Sequence, residues 1–126
     1  MKGFVVRSFP NLSSYILMYY AKQFGIRNFQ GVFSRNDQLP VINKKYSYSF
    51  ILNLDDNTNS GTHWVGLLKL KDKIYYYDSF ALKPPKEICN HYKFHRIFYN
   101  SKMEQKFHQS NCGQRALYFL FKNFHF

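Results

Sequence analysis

A chain of 126 residues, 45% hydrophobic and 21% aromatic, has enough apolar surface to close one core and is too short for several. Its 14 Phe and 11 Tyr exclude a chain that stays disordered for want of side chains to bury. Lys and Arg outnumber Asp and Glu 18 to 7, a net charge of +11 that favours polyanions or acidic partners and loses that preference as salt rises.

The apolar run Gly3 to Val6 near the amino terminus is shorter than a signal-peptide core, and no stretch reaches the roughly 20 apolar residues of a membrane span. The first helix opens at Asn11 or Ser13: Leu12, Tyr15, Ile16, Tyr19, Tyr20 and Phe24 recur at helical spacing, and Gly25 stops it. From Ile26 to Leu39 the pattern breaks into Asn28, Gly31, Ser34, Arg35, Asn36 and Asp37 before Pro40, which predicts an ordered loop. Tyr46 to Leu54 reads as a strand and Asp55 to Gly61 as an exposed loop. Trp64 to Leu70 and Ile74 to Asp78 form a hairpin through Lys71, Asp72 and Lys73. Pro84 and Pro85 open a short helix, Lys86 to His91, and Arg96 to Tyr99 is another strand. The last helix is the clearest: Ala116, Leu117, Phe119, Leu120 and Phe124 follow Asn111, a good amino-terminal cap. Helix, strands and helix in this order predict a single α+β domain over 1–126, with a small central sheet packed against helices.

Two cysteines, Cys89 and Cys112, cannot build a disulfide framework or a four-thiolate zinc site, so free thiols in a reducing compartment are expected. Cys112 falls in the first turn of the last helix, where unpaired N–H groups and the helix dipole stabilise a thiolate. Gly113 after it permits close backbone approach, as an oxyanion hole requires. The alternative is a structural cysteine packing the helix. His63 precedes one hairpin strand and Asp78 ends the other, so an antiparallel hairpin brings them to the same end of the sheet. That is the arrangement of a base and the carboxylate that orients it, with Cys112 as nucleophile.

Gly61-Thr62-His63-Trp64-Val65, then Tyr77-Asp78-Ser79-Phe80, then Cys112-Gly113 resembles the adenain-like and Ulp1-like cysteine peptidases of clan CE. The segment from Gly25 to Pro40 is similar to the region before the histidine in adenain-like viral and polinton-type sequences, which extends the resemblance over most of the chain. It implies an adenain/Ulp1-like fold with the catalytic Cys at the head of the carboxy-terminal helix, and a thiol endopeptidase cleaving viral precursor proteins near glycine. A deubiquitinase or SUMO-type isopeptidase of the same fold is the variant it leaves open. It further implies a Gln donating its side-chain amide to the oxyanion. Gln105, seven residues before Cys112, matches the adenovirus-type spacing, and Gln109, three before it, the asfarvirus type. Trp64 would pack by the imidazole on the substrate side or fill the core, and the loop from Gly25 to Pro40 would shape the cleft. The resemblance implies protein substrates, no metal or cofactor, an activator role open to DNA or a peptide, and an intracellular, virion or host-cell location. The second class of function is a basic nucleic-acid-binding module stacking bases on Tyr and Phe, although no recognised motif organises its Lys and Arg.

Overall fold

A computed structural model describes residues 14–54, 63–104 and 112–124. In chain order these form α1 (Ser14–Gln23), β1 (Phe29–Ser34), β2 (Tyr48–Asn53), β3 (Trp64–Leu70), β4 (Lys73–Tyr77), α2 (Lys86–His91), β5 (Arg96–Tyr99) and α3 (Cys112–Asn123). The strands make one sheet in sequence order, β1-β2-β3-β4-β5. Its centre is antiparallel, β2 with β3 and β3 with β4, and a parallel pair closes each edge.

The central strands YSFILN and WVGLLKL are near-continuous apolar runs because both faces of the sheet are covered. Ile51 and Leu68 point to one face, where Leu17 and Ala21 of α1 meet Ala116, Leu117, Leu120 and Phe121 of α3. Phe50, Leu52, Val65, Leu67, Ile74 and Tyr76 point to the other, under Ile88 of α2 and Tyr92. The result is an α+β fold whose last helix lies across the middle of the sheet. Its approach to β3 depends on Gly66: a Cβ there would stand 3.1 Å from Phe119 Cδ2 and 3.3 Å from the Ala116 carbonyl oxygen. Lys69, also in β3, is buried and donates from Nζ to the carbonyls of Asn43 (2.7 Å), Lys71 (2.6 Å) and Tyr46, tying the 43–46 segment to the sheet.

Two expectations are corrected. The segment from Ile26 to Leu39 is not all loop, since it contains the edge strand β1. Asn28 and Gly31 sit at positive φ (46° and 127°), and the β1–β2 register shifts between Phe29 and Val32. Such a bulge breaks the alternation by which a strand is read from sequence. Of the β1 residues only Gly31 is buried, so this stretch is an edge strand and not a buried cleft loop. In α1 the inward residues are Leu17 and Ala21, both 0% exposed, whereas Tyr15 is 80% and Tyr19 55% exposed. With apolar residues on every side of YILMYYA, periodicity does not select a face. The small Ala21 allows close packing against α3, while an outward tyrosine keeps its hydroxyl in water.

The hairpin, the short helix and the strand at 96–99 occur as expected; the strand expected over 46–54 is the shorter β2, and β4 starts and ends one residue earlier, so that Asp78 lies just past it. Gly25, at φ 68°, ends α1 in the left-handed conformation usual after a helix. The proposed caps Asn11, Ser13 and Asn111 and the loop 55–61 lie outside the described residues. Cys89 and Cys112 are both free thiols. Among the described residues no helix is long and apolar enough to cross a membrane.

Candidate active site

His63 immediately precedes β3 and Asp78 immediately follows β4, and the hairpin register that opposes Gly66 to Tyr77 brings them to one end. His63 Nε2 and Asp78 Oδ1 are 2.8 Å apart. An ionised carboxylate only accepts, so the proton of the neutral imidazole sits on Nε2 and the lone pair on Nδ1. Nδ1 is buried and meets no nitrogen or oxygen partner among the described residues. Besides Asp78, the titratable group among the described residues that acts on the ring is Cys112, the first residue of α3, which is 3% exposed.

The protonation of His63 follows from these neighbours. Burial alone pushes the imidazole down from its ordinary 6.5. The hydrogen bond to Asp78, the sulfur of Cys112 and the negative charge of both groups when ionised outweigh it and bring the ring up to about 9.

Asp78 is wholly buried and sits in a tight turn made by its own side chain. Its Oδ1 also accepts the Phe80 N–H (2.8 Å), and its carbonyl accepts the Ala81 N–H (2.8 Å) with Ala81 at φ 58°. This turn places the Phe80 ring over the imidazole, centroids 4.6 Å apart and 16° from parallel. From the far side the Asn100 side chain, just past β5, accepts the Asp78 N–H at 2.9 Å and donates to the Asp78 carbonyl at 2.7 Å. A lone Asn after a strand and a Phe two residues after an Asp carry no motif by themselves. The Tyr77-Asp78-Ser79-Phe80 stretch signals Phe80, and nothing in the sequence signals Asn100.

The elements also fix Glu104, the last described residue before α3. Tyr77, stacked on Phe119 of α3 at 5.1 Å, donates its hydroxyl to Glu104, whose N–H donates to the Ser79 carbonyl at 2.8 Å. Burial and that carboxylate push the Tyr77 hydroxyl up, so it stays a donor. Gln105 and Gln109 follow Glu104 and lie outside the described residues. Trp64 is 7% exposed and packs in the core cluster that holds Cys112, and the ring stacked on the imidazole is that of Phe80. Among the described residues no group of His, Cys, Asp or Glu could hold a metal ion.

Solved structures that the chain resembles include two crystal structures of the ASFV pS273R protease. The selenomethionine form matches with a TM-score of 0.53 and 17% identity over 90% of this chain and 60% of that one. The second matches with a TM-score of 0.51 and 15% identity over 93% and 56%. The chain carries the fold of a viral protease. It spans less than two thirds of the length of that enzyme. No protein-family model and no curated protein matches the sequence.

Proposed function

We propose that this chain is a cysteine endopeptidase in which Cys112 is the nucleophile, His63 the base and Asp78 the residue that orients the base. The observation carrying this reading is the His63–Asp78 hydrogen bond across the hairpin, with Cys112 acting on the same imidazole from the head of α3. Because Asp78 occupies Nε2, Nδ1 is the nitrogen left to hold the proton given up by the thiol, and with the ring up at about 9 it keeps that proton at neutral pH until the leaving amine takes it. The sulfur then attacks the scissile carbonyl carbon, and the imidazolium returns the proton to the leaving amine as the C–N bond breaks. Water hydrolyses the resulting thioester, His63 again moving the proton, and the carboxylic acid leaves with Cys112 restored. The oxyanion role belongs to Gln105 at the adenovirus-type spacing, with Gln109 as the alternative, and an amide N–H there would offset the developing charge. The similarity to a viral protease supports a protein substrate; that this substrate is a viral precursor cut near glycine rests on the resemblance of the sequence motifs.

An electrophilic peptide probe ending in glycine, with ubiquitin and SUMO probes alongside, tests this by mass spectrometry. A single adduct on Cys112 that disappears in Cys112→Ala and falls at least tenfold in His63→Ala is the expected result, about the scale of lost base catalysis. Labelling of Cys89 instead, or equal labelling in His63→Ala, would overturn the assignment. The tail preferred separates a precursor protease from an isopeptidase. Loss of peptide hydrolysis in Gln105→Ala but not in Gln109→Ala is expected.

A further inference from the structure

We propose that Asn100 is a positioning residue of this site, its side-chain amide replacing the peptide group that β5 no longer supplies and holding Asp78 against His63. The inference rests on the peptidase reading and adds a residue to it. The parallel β4–β5 pairing ends at Tyr76 opposite Tyr99, one residue short of Asp78's neighbour Tyr77. At the next position the side chain of Asn100 takes over. Its Oδ1 accepts the Asp78 N–H (2.9 Å) and its Nδ2 donates to the Asp78 carbonyl (2.7 Å), with a longer bond to the Lys102 carbonyl (3.3 Å).

A primary amide is chemically a peptide group, with a donor and an acceptor held in one plane. Hydroxyl or carboxylate side chains do not offer that pair in this geometry. Asp78 is completely buried, so its main-chain N–H has no water to fall back on, and losing its acceptor leaves a buried donor unpaired. The Asp78 carbonyl keeps the Ala81 N–H, so removal of Asn100 frees one end of the residue and lets it pivot on the other. Its carboxylate is two bonds from Cα, so a backbone shift moves Oδ1 by a similar amount relative to His63 Nε2.

The test uses purified Asn100→Ala and Asn100→Asp beside the wild type, reading hydrolysis of a glycine-containing peptide amide and the titration of the His63 ring by NMR, assigned with His63→Gln. Among the described residues only Asp78 and Cys112 act on that ring as titratable groups, so its titration reports their placement. In Asn100→Ala the expected result is a kcat lower by about 10- to 100-fold, with KM changed less than about twofold. The imidazole is expected to move from about 9 toward 6.5. Wild-type kcat and an unmoved titration in a folded Asn100→Ala protein, whatever its Tm, would overturn the proposal. If Asn100→Ala does not fold, Asn100→Asp carries the test. It keeps the size and the acceptor but sets a carboxylate oxygen against the Asp78 carbonyl, so wild-type kcat there overturns the proposal equally. Should the wild type hydrolyse no peptide, the peptidase reading fails by itself while the NMR arm still decides whether Asn100 holds Asp78.

Discussion

At the scale of single residues, the site turns on one imidazole between a buried carboxylate and a thiol. Asp78 Oδ2 has no hydrogen-bond partner among the described residues, so the charge of Asp78 is compensated chiefly by the proton on His63. Against the burial that pushes the ring down, this hydrogen bond and charge, together with Cys112, bring it up to about 9. The sign for stability follows from the raised value. Protonation of His63 adds stability that is fully present below about 6.5 and is lost as pH rises through about 9. The midpoint of urea unfolding is therefore expected to fall over that window, and to fall less in His63→Gln. Hydrolysis should show a descending limb near 9 as the acid that protonates the leaving amine disappears. A limb at 6.5 in the wild type would mean that Asp78 does not hold the ring in solution.

At the scale of elements, the placement of Cys112 depends on how closely α3 approaches β3. Gly66→Ala sets a methyl 3.1 Å from Phe119 and 3.3 Å from the Ala116 backbone, so either the helix or the strand must shift by a few tenths of an ångström. We expect a cost of about 1–3 kcal/mol in thermal unfolding. We also expect a loss of kcat at temperatures where the protein is fully folded, because the shift carries Cys112 relative to His63. Unchanged kcat would show that the adjustment does not reach Cys112. The elements that were legible in the sequence are those whose local signals agree with their packing. The hairpin had two apolar runs and a polar turn, α3 had one apolar stripe, and His63 and Asp78 were paired by hairpin register alone. β1 was hidden because Asn28 and Gly31 supply positive φ where a strand is read by alternation, and the α1 face because its apolar residues leave no periodic minimum. Asn100 was illegible for a different reason. Its role exists only once β4 and β5 lie side by side, a tertiary fact with no local trace. Gln105 and Gln109 remain distinguished by spacing, since both fall outside the described residues.

At the scale of the whole molecule, two cores share one sheet: α1 and α3 cover one face, α2 the other. His63, Asp78, Phe80 and Asn100 are held by strand ladders, turns and side-chain amides around the hairpin. Cys112 arrives on a helix joined to that hairpin by packing over Gly66 and by the stacked Tyr77 and Phe119 rings. Packing of this kind opens more readily than a central strand ladder. In mild urea, hydrolysis is expected to fade before the amides of β2 and β3 lose their protection from hydrogen exchange. Simultaneous loss would show that helix and sheet open as one unit. On the proposed reading, competence in this chain reports whether one helix is seated. A neighbouring domain, a bound partner or a rise in temperature that seats or lifts α3 would act as a throttle on turnover, with every residue of the hairpin left where it was.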